Sequence, residues 1–312
     1  MAAPGHVPVS NQDRPEAVLE SGGPALNSIP SLPYYEPPSR PAKLESSPVI
    51  LENFVPGADA QETGPLLDVA AASFGSAPRN ADTPILEAVI GDDDRKRVTP
   101  AFMGRNPFRQ ICALRITSQR NRTYVGTGWF IAPGVLATAG HCVYLQDEGG
   151  WAKSIRVIPS KEGPREPLGS QVSTRFKSVD GWIKKRSRDM DYGVIFLDDK
   201  GPGTELGNFS VRALDVDALK RTDAQISGYP ADLDRAEFQY FHLRPMMDVT
   251  DAQLIYDIDT FGGQSGSPIW QQTAELGLIA VGIHTTGGVS SNSGTRINQD
   301  VLDNLVTWTA ES

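Results

Sequence analysis

The sequence predicts an all-β fold that ends in a single helix. Three observations carry that expectation. Short runs rich in β-branched and aromatic residues recur along the chain, bounded by Gly, Pro, Asp and Asn. They do not alternate with segments of helical periodicity, which argues against a parallel α/β sheet. Only the last stretch repeats apolar residues at helical spacing.

In chain order the runs are 111–117, 124–131, 154–158, 192–197, 224–227, 254–258 and 278–283. The second passes through Gly128-Trp129-Phe130-Ile131-Ala132 into a Pro133-Gly134 turn. The run at 192–197 is strongly apolar, and Leu254-Ile255-Tyr256-Asp257-Ile258 alternates as a half-buried strand does. The helix is expected at about 299–310, with Asn298 as N-cap and Val301, Leu302, Leu305 and Val306 on its apolar face.

The first 87 residues differ from the rest. They hold 14 of the 24 prolines and carry 11 acidic against 4 basic residues, whereas the remainder carries 27 against 25. A proline-rich, acidic, aromatic-poor stretch cannot bury much apolar surface, so 1–87 is expected to be largely disordered. The remaining 88–312 is long enough for a sizeable core. The formal net charge of −9 argues against a nucleic-acid partner. No run of about twenty apolar residues is present, so no membrane span is expected. No Cys/His cluster suggests zinc, and Asp92-Asp93-Asp94 lacks further ligand spacing, so neither metal nor cofactor is expected.

The chemistry concentrates in Asp259-Thr260-Phe261-Gly262-Gly263-Gln264-Ser265-Gly266-Ser267-Pro268. A serine hydroxyl is a poor nucleophile unless a base takes its proton, and attack on a carbonyl creates an oxyanion that needs donors already aimed at it. Glycines let the backbone turn tightly enough to point the N–H groups of Gly263 and Ser265 into one hole. A plain Gly/Ser turn between strands is the bland alternative. His141, in Thr138-Ala139-Gly140-His141-Cys142, supplies a candidate base at a strand end. Asp191 opens an apolar strand and would enter the interior, where an imidazole N–H can meet its charge. Asp189, its rival, lies among Lys184, Lys185, Arg186 and Arg188 and reads as a solvated surface charge. In the order His141, Asp191, Ser265 the roles are proton carrier, orienting acid and nucleophile. The Gly-x-Ser-x-Gly elbow of α/β-hydrolases is absent, since Ser267 takes the place of its last glycine.

These three motifs, with Ile226-Ser227-Gly228-Tyr229-Pro230 and Gly294-Thr295-Arg296-Ile297, resemble those of the trypsin-like (chymotrypsin-fold) serine proteases, and more narrowly the V8-like glutamyl endopeptidases. The resemblance runs from about Val89 to the C-terminus. It implies two antiparallel six-stranded β-barrels, at about 100–200 and 205–297, with the catalytic residues in the cleft between them. It implies a serine endopeptidase acting on proteins or peptides. A trypsin-fold binding module without catalysis is the rival from another class, and it would lack a member of the triad.

The resemblance also places His284 and Thr260 in the pocket for the substrate residue before the scissile bond (P1), with a preference for Glu, then Asp. Histidine and threonine can donate to a carboxylate without a full buried cation. Thr286 and Gly287 would border the pocket and contact an extended substrate. A pocket for another side chain is the alternative, and adjacent Asp259 keeps it open. Thr285 is a candidate partner of Asp191. His242 reads as structural or as a partner of His284.

A removable prosegment is implied, with the mature chain starting near Ala88; Glu87 precedes it, so a Glu-specific enzyme could cut Glu87–Ala88 itself. The family is secreted, yet the first thirty residues have neither a basic start nor a continuous apolar core, so a cytoplasmic location is the alternative. Cys142 sits beside His141 as in the family, but Thr127 replaces the usual partner cysteine. A Cys112–Cys142 disulfide is held open because those strands should be neighbours. Nothing in the sequence demands more than a monomer.

Overall fold

The computed structural model describes residues 2–13, 66–74, 89–198, 201–221, 223–273, 276–288 and 290–311. Its strands are β1 Pro8–Ser10, β2 Leu67–Asp68, β3 Lys96–Arg97, β4 Ile111–Thr117, β5 Thr123–Ala132, β6 Val135–Thr138, β7 Tyr144–Leu145, β8 Gly150–Trp151, β9 Ser154–Pro159, β10 Gln171–Ser173, β11 Arg175–Val179, β12 Gly193–Phe196, β13 Ser210–Val211, β14 Asp223–Gly228, β15 Tyr240–Val249, β16 Gln253–Tyr256, β17 Pro268–Thr273, β18 Gly277–Gly287 and β19 Asn292–Arg296. Every run expected from the sequence lies in or against one of these strands. The expected strand 254–258 stops at Tyr256, and Asp257 and Ile258 lead into the glycine-rich loop.

Two large sheets organise the chain. The second closes on itself: β18-β17-β14-β15-β16-β19 runs back to β18, a six-stranded antiparallel ring. The first runs β1-β11-β12-β6-β5-β4-β9-β10 and stays open among the described residues. The fold is thus one barrel and one half-barrel, in keeping with the two-barrel all-β architecture expected from the sequence. Closure removes the exposed edges of the second sheet. The first covers one edge with β1, laid against β11.

The core lies inside and between the sheets. Trp129, Trp182, Trp270 and Trp308 are all buried within it. The helix Gln299–Thr309 starts where expected, because the Asn298 side chain accepts the Val301 N–H at 3.1 Å. Val301, Leu305 and Trp308 form its buried face, and Trp308 packs 5.8 Å from the Tyr192 ring. No helix among the described residues is long and apolar enough to cross a membrane.

Two pieces of the first 87 residues pack on this fold. Residues 2–13 supply β1, and His6 Nδ1 lies 2.9 Å from the Tyr192 hydroxyl while its carbonyl accepts from Asn304. Residues 66–74 supply β2, parallel to β5, and a short helical turn Ala71–Phe74. Their apolar residues account for it: Val69, Ala70 and Ala72 are buried, and Leu67 and Phe74 pack on the core.

Candidate active site

β6 and β12 are neighbours, with Gly193 opposite Thr138. The chain therefore leaves β6 into the helical turn Gly140–Val143, which carries His141, close to where Asp191 enters β12. One Asp191 oxygen accepts the His141 backbone N–H at 2.8 Å, and the other lies 2.7 Å from Nδ1. Both residues are fully buried, while Asp189 is exposed. Gly140 makes the approach possible: a Cβ there would sit 2.9 Å from Trp182 Cδ1 and 3.0 Å from Asp191 Oδ1. Burial is the largest influence on the imidazole and disfavours its charge. The Asp191 carboxylate, with a further contribution from Cys142, opposes burial, and together they hold the His141 pKa well above 6.5.

Ser265 arrives from the second sheet, on the loop between β16 and β17. The first sheet grips that loop. Thr127 N–H donates to the Ser265 carbonyl at 2.9 Å, Thr127 Oγ1 to the Gly263 carbonyl at 2.8 Å, and Trp129 Nε1 to the Gly266 carbonyl at 3.1 Å. Gly263 and Gly266 have φ of 99° and 88°, a region that favours glycine. A Cβ on Gly263 would also lie 2.5 Å from the Tyr229 carbonyl oxygen. The Gly263 N–H has no acceptor among the described residues. His141 Nε2 is buried and likewise makes no hydrogen bond among them, so no His141–Ser265 side-chain hydrogen bond is formed in this state. Such bonds often tighten only with substrate in place.

His284 lies on β18, whose backbone is bonded to the same loop. His284 N–H donates to the Ser267 carbonyl at 2.9 Å, and Gly266 N–H donates to the His284 carbonyl at 2.8 Å. Its Nδ1 is 2.6 Å from the Tyr256 hydroxyl. Thr260 is fully buried with Oγ1 unpaired among the described residues. Thr286 Oγ1 lies 3.1 Å from Ser293 Oγ, and Gly287 ends β18 opposite Asn292. One secondary expectation is corrected, and one of the two readings of His242 is kept. Thr285 Oγ1 makes no hydrogen bond among the described residues, and the Asp191 oxygens lie against His141 instead. His242 pairs with Asp259 rather than His284: its Nδ1 accepts the Asp259 N–H at 3.0 Å. Burial lowers the His242 pKa, which suits that acceptor role.

Cys112 and Cys142 are both buried and free in this structure, so the bond held open above is not formed. The offset explains it. Cys142 Sγ lies over Gly126, which faces Leu114 across the ladder, two residues beyond Cys112. That is roughly 7 Å along the strand. Glu87 and Ala88 lie outside the described residues.

Sequence reasoning missed several residues at the site. Phe74 stands edge-on to the His141 ring at 5.7 Å and to Trp182 at 5.6 Å. A Cβ on Gly262 would meet Asp68 Cγ at 2.6 Å. Residues 66–74 thus reach from the oxyanion loop to His141. Composition hid them inside a stretch poor in apolar residues, although Leu66-Leu67-Asp68-Val69 is a local exception to it. Tyr256 and Arg95 carried no motif of their own.

No family model matches the chain. It is 38% identical over 230 residues to "Glutamyl endopeptidase" of Bacillus licheniformis, covering 72% of this chain and 69% of that protein. It is 34% identical over 233 residues to "Extracellular metalloprotease" of Bacillus subtilis (strain 168), covering 74% and 72%. A solved "Structure of Glu endopeptidase in complex with MPD" superposes with a TM-score of 0.63 at 29% identity, covering 71% of this chain and 99% of that one. Among the described residues one group, Asp94, His242 and Asp259, has the spacing to hold a metal ion, and its atoms already serve contacts within the protein. Asp259 accepts from the N–H groups of Ile90 and Asp94, and His242 Nδ1 from Asp259. With its barrel and half-barrel, its terminal helix and these relatives, the chain belongs to the glutamyl endopeptidases of the trypsin-like serine protease family and is a serine endopeptidase.

Proposed function

We propose that the enzyme cleaves peptide bonds through a His141–Asp191–Ser265 triad by way of an acyl-enzyme. The observation that carries this reading is the double contact of Asp191 with His141. Ser265 Oγ attacks the scissile carbonyl while His141 Nε2 takes its proton. The C–N bond then breaks as His141 returns that proton to the leaving amine, and water repeats the sequence to free the acid. Asp191 keeps Nδ1 protonated and stabilises the imidazolium. The N–H groups of Gly263 and Ser265 receive the oxyanion.

The P1 pocket is assigned to Thr260 and His284, with Thr286 and Gly287 along its rim, and the preferred side chain is Glu, then Asp. Two features support a carboxylate: the buried, unpaired Thr260 hydroxyl and a His284 ring held by Tyr256. The relative named for glutamyl cleavage points the same way. Cleavage of a mixed peptide library tests the reading, with Ser265→Ala as the blank. Fragments ending in Glu support it, whereas Lys, Arg or apolar ends would overturn the pocket.

Residues 1–87 are assigned as a propeptide removed at Glu87–Ala88, and the product is a secreted monomer. Residues 66–74 support this, since Phe74 covers the catalytic imidazole and would bar substrate until the segment leaves. N-terminal sequencing of active enzyme checks it: a chain still starting at residue 1 would sink the assignment.

A further inference from the structure

Arg95 lies eight residues beyond Glu87, far in sequence from the catalytic motifs, yet its side chain is fully buried. Its guanidinium holds two carboxylates at once. Nε and Nη2 donate to Asp93 at 2.9 and 2.8 Å, and Nη1 and Nη2 donate to Asp232 at 3.1 and 2.6 Å. The remaining reach of Nη1 is to Gln264 Oε1, at 3.4 Å. Gln264 is the residue immediately before the nucleophile. Its Oε1 also accepts the Phe261 N–H at 3.0 Å, and its own N–H donates to the Phe261 carbonyl at 3.0 Å. The Gln264 side chain therefore staples the turn 261–264, which sets the Gly263 N–H and aims Ser265.

Two further contacts tie the same parts together. Ala231 N–H, next to Asp232, donates to the Gly262 carbonyl at 2.6 Å. Asp259, at the other end of the loop, accepts from the N–H groups of Ile90 and Asp94 at 2.7 and 2.9 Å. The stretch 90–95 is thus hooked to both ends of the loop that carries the nucleophile. A planar fork spanning two carboxylates is a geometry arginine fills and lysine does not.

We propose that Arg95 is a positioning residue for acyl transfer, acting through Gln264 to hold the oxyanion turn. This rests on Ser265 being the nucleophile but not on the P1 preference. A positioning residue of this kind stabilises the transition state more than the bound substrate. Its loss should appear in kcat and not in KM.

The test uses the processed enzyme and the variants Arg95→Lys, Gln264→Ala and the double variant, with melting curves as a check on folding. Lysine keeps the buried charge that the two carboxylates need. Kinetics are measured on the best library peptide. Inhibition is measured with the matching peptide aldehyde, whose hemiacetal with Ser265 resembles the tetrahedral intermediate, and with the product peptide acid. Each single variant is expected to lower kcat about tenfold or more, less than the full loss of an oxyanion donor. KM should stay within about twofold, aldehyde affinity should fall in step with kcat, and product affinity should hold. The double variant should be no worse than the poorer single, because both changes cut one chain of contacts. Full kcat and aldehyde affinity in either single variant would overturn the proposal. Additive effects, or equal losses for aldehyde and product, would overturn it too. If Arg95→Lys does not fold, Gln264→Ala must show the kcat and aldehyde pattern alone, and normal turnover in it is a refutation. Hydrolysis surviving in Ser265→Ala would instead strike the nucleophile assignment itself.

Discussion

Asp191 binds His141 at two points, with one carboxylate oxygen on the backbone N–H at 2.8 Å and the other 2.7 Å from Nδ1. The first contact fixes where the residue sits and the second fixes which ring nitrogen carries the proton. An Asp191→Asn side chain offers one acceptor to these two donors. Whichever contact the amide oxygen keeps, the amide N–H₂ faces a donor at the other. kcat is expected to fall about 10³- to 10⁴-fold with KM little changed, as loss of the correct tautomer does in such triads. Stopped-assay kinetics against the parent enzyme read this directly.

The same carboxylate sets the pH behaviour. In the proposed triad His141 acts as a base only when neutral, and its pKa is held well above 6.5 against the opposing effect of burial. Activity should therefore climb as pH rises through that raised value. In the Asp191→Asn variant the residual activity should begin its climb at lower pH, because the larger of the two influences that oppose burial is gone. The linked stability has the opposite sense: it is fully present below pH 6.5 and is lost as pH rises through the folded-state value. Profiles of kcat/KM for the two proteins test the first statement. An acid limb that does not move between them would show that Asp191 does not tune the base.

Phe74 stands 5.7 Å from the His141 ring, which makes the proposed latency testable. A Glu87→Gln chain should stay uncut at the proposed junction and react slowly with a serine-directed fluorophosphonate. Adding Phe74→Ala should speed labelling at least about tenfold, as the cover over His141 is lost. Labelling rates followed by intact-mass spectrometry decide the matter. Equal rates in the two chains would leave residues 66–74 without an inhibitory role.

What was legible in the sequence followed from local chemistry. The strands announced themselves by branched and aromatic runs, and the terminal helix by Asn298 and its spaced apolar residues. The loop around Ser265 was visible because only glycine serves at its φ of 99° and 88°. What stayed hidden depends on distant partners. Arg95 follows the acidic residues 92–94 with no motif of its own, and only the fold sets Asp232 and Gln264 beside it. His242 reads from sequence as structural or as a partner of His284; its actual partner, Asp259, stayed hidden because it lies on a loop whose path the sequence does not encode locally. The open first sheet was illegible for the same reason: closure depends on which edges meet.

His284 and Thr260 make the specificity claim separable from catalysis. His284→Ala should lose at least about tenfold in kcat/KM for Glu peptides while small P1 residues are cleaved no worse. Thr260→Val keeps the shape and removes a buried hydroxyl that is unpaired without substrate. Removing an unpaired buried polar group should leave the fold as stable or more so. Glu cleavage should still weaken, because one donor to the carboxylate is gone. A Thr260→Val enzyme that melts higher and keeps its full Glu preference would place the substrate carboxylate elsewhere.

One glycine inside the Ser265 loop and one outside it give a prediction about strain and space together. Gly266 and Gly277 both sit at positive φ, 88° and 68°. At Gly277, where β18 begins, a Cβ would meet nothing within 4 Å among the described residues, so Gly277→Ala should cost only the backbone strain, about 1–2 kcal/mol. At Gly266 a Cβ would lie 2.2 Å from both the Thr127 carbonyl oxygen and Thr138 Oγ1. Those atoms belong to β5 and β6, which also grip the Ser265 loop and lead into His141. They cannot yield without moving the site. Gly266→Ala should therefore destabilise clearly more than Gly277→Ala and abolish measurable turnover, whereas Gly277→Ala should keep it. Paired melting curves, taken on a Ser265→Ala background to stop self-digestion, separate the two costs. Comparable losses at both positions would mean that the sheets can give way around the loop, and that the grip of Thr127 is not what holds the nucleophile in place.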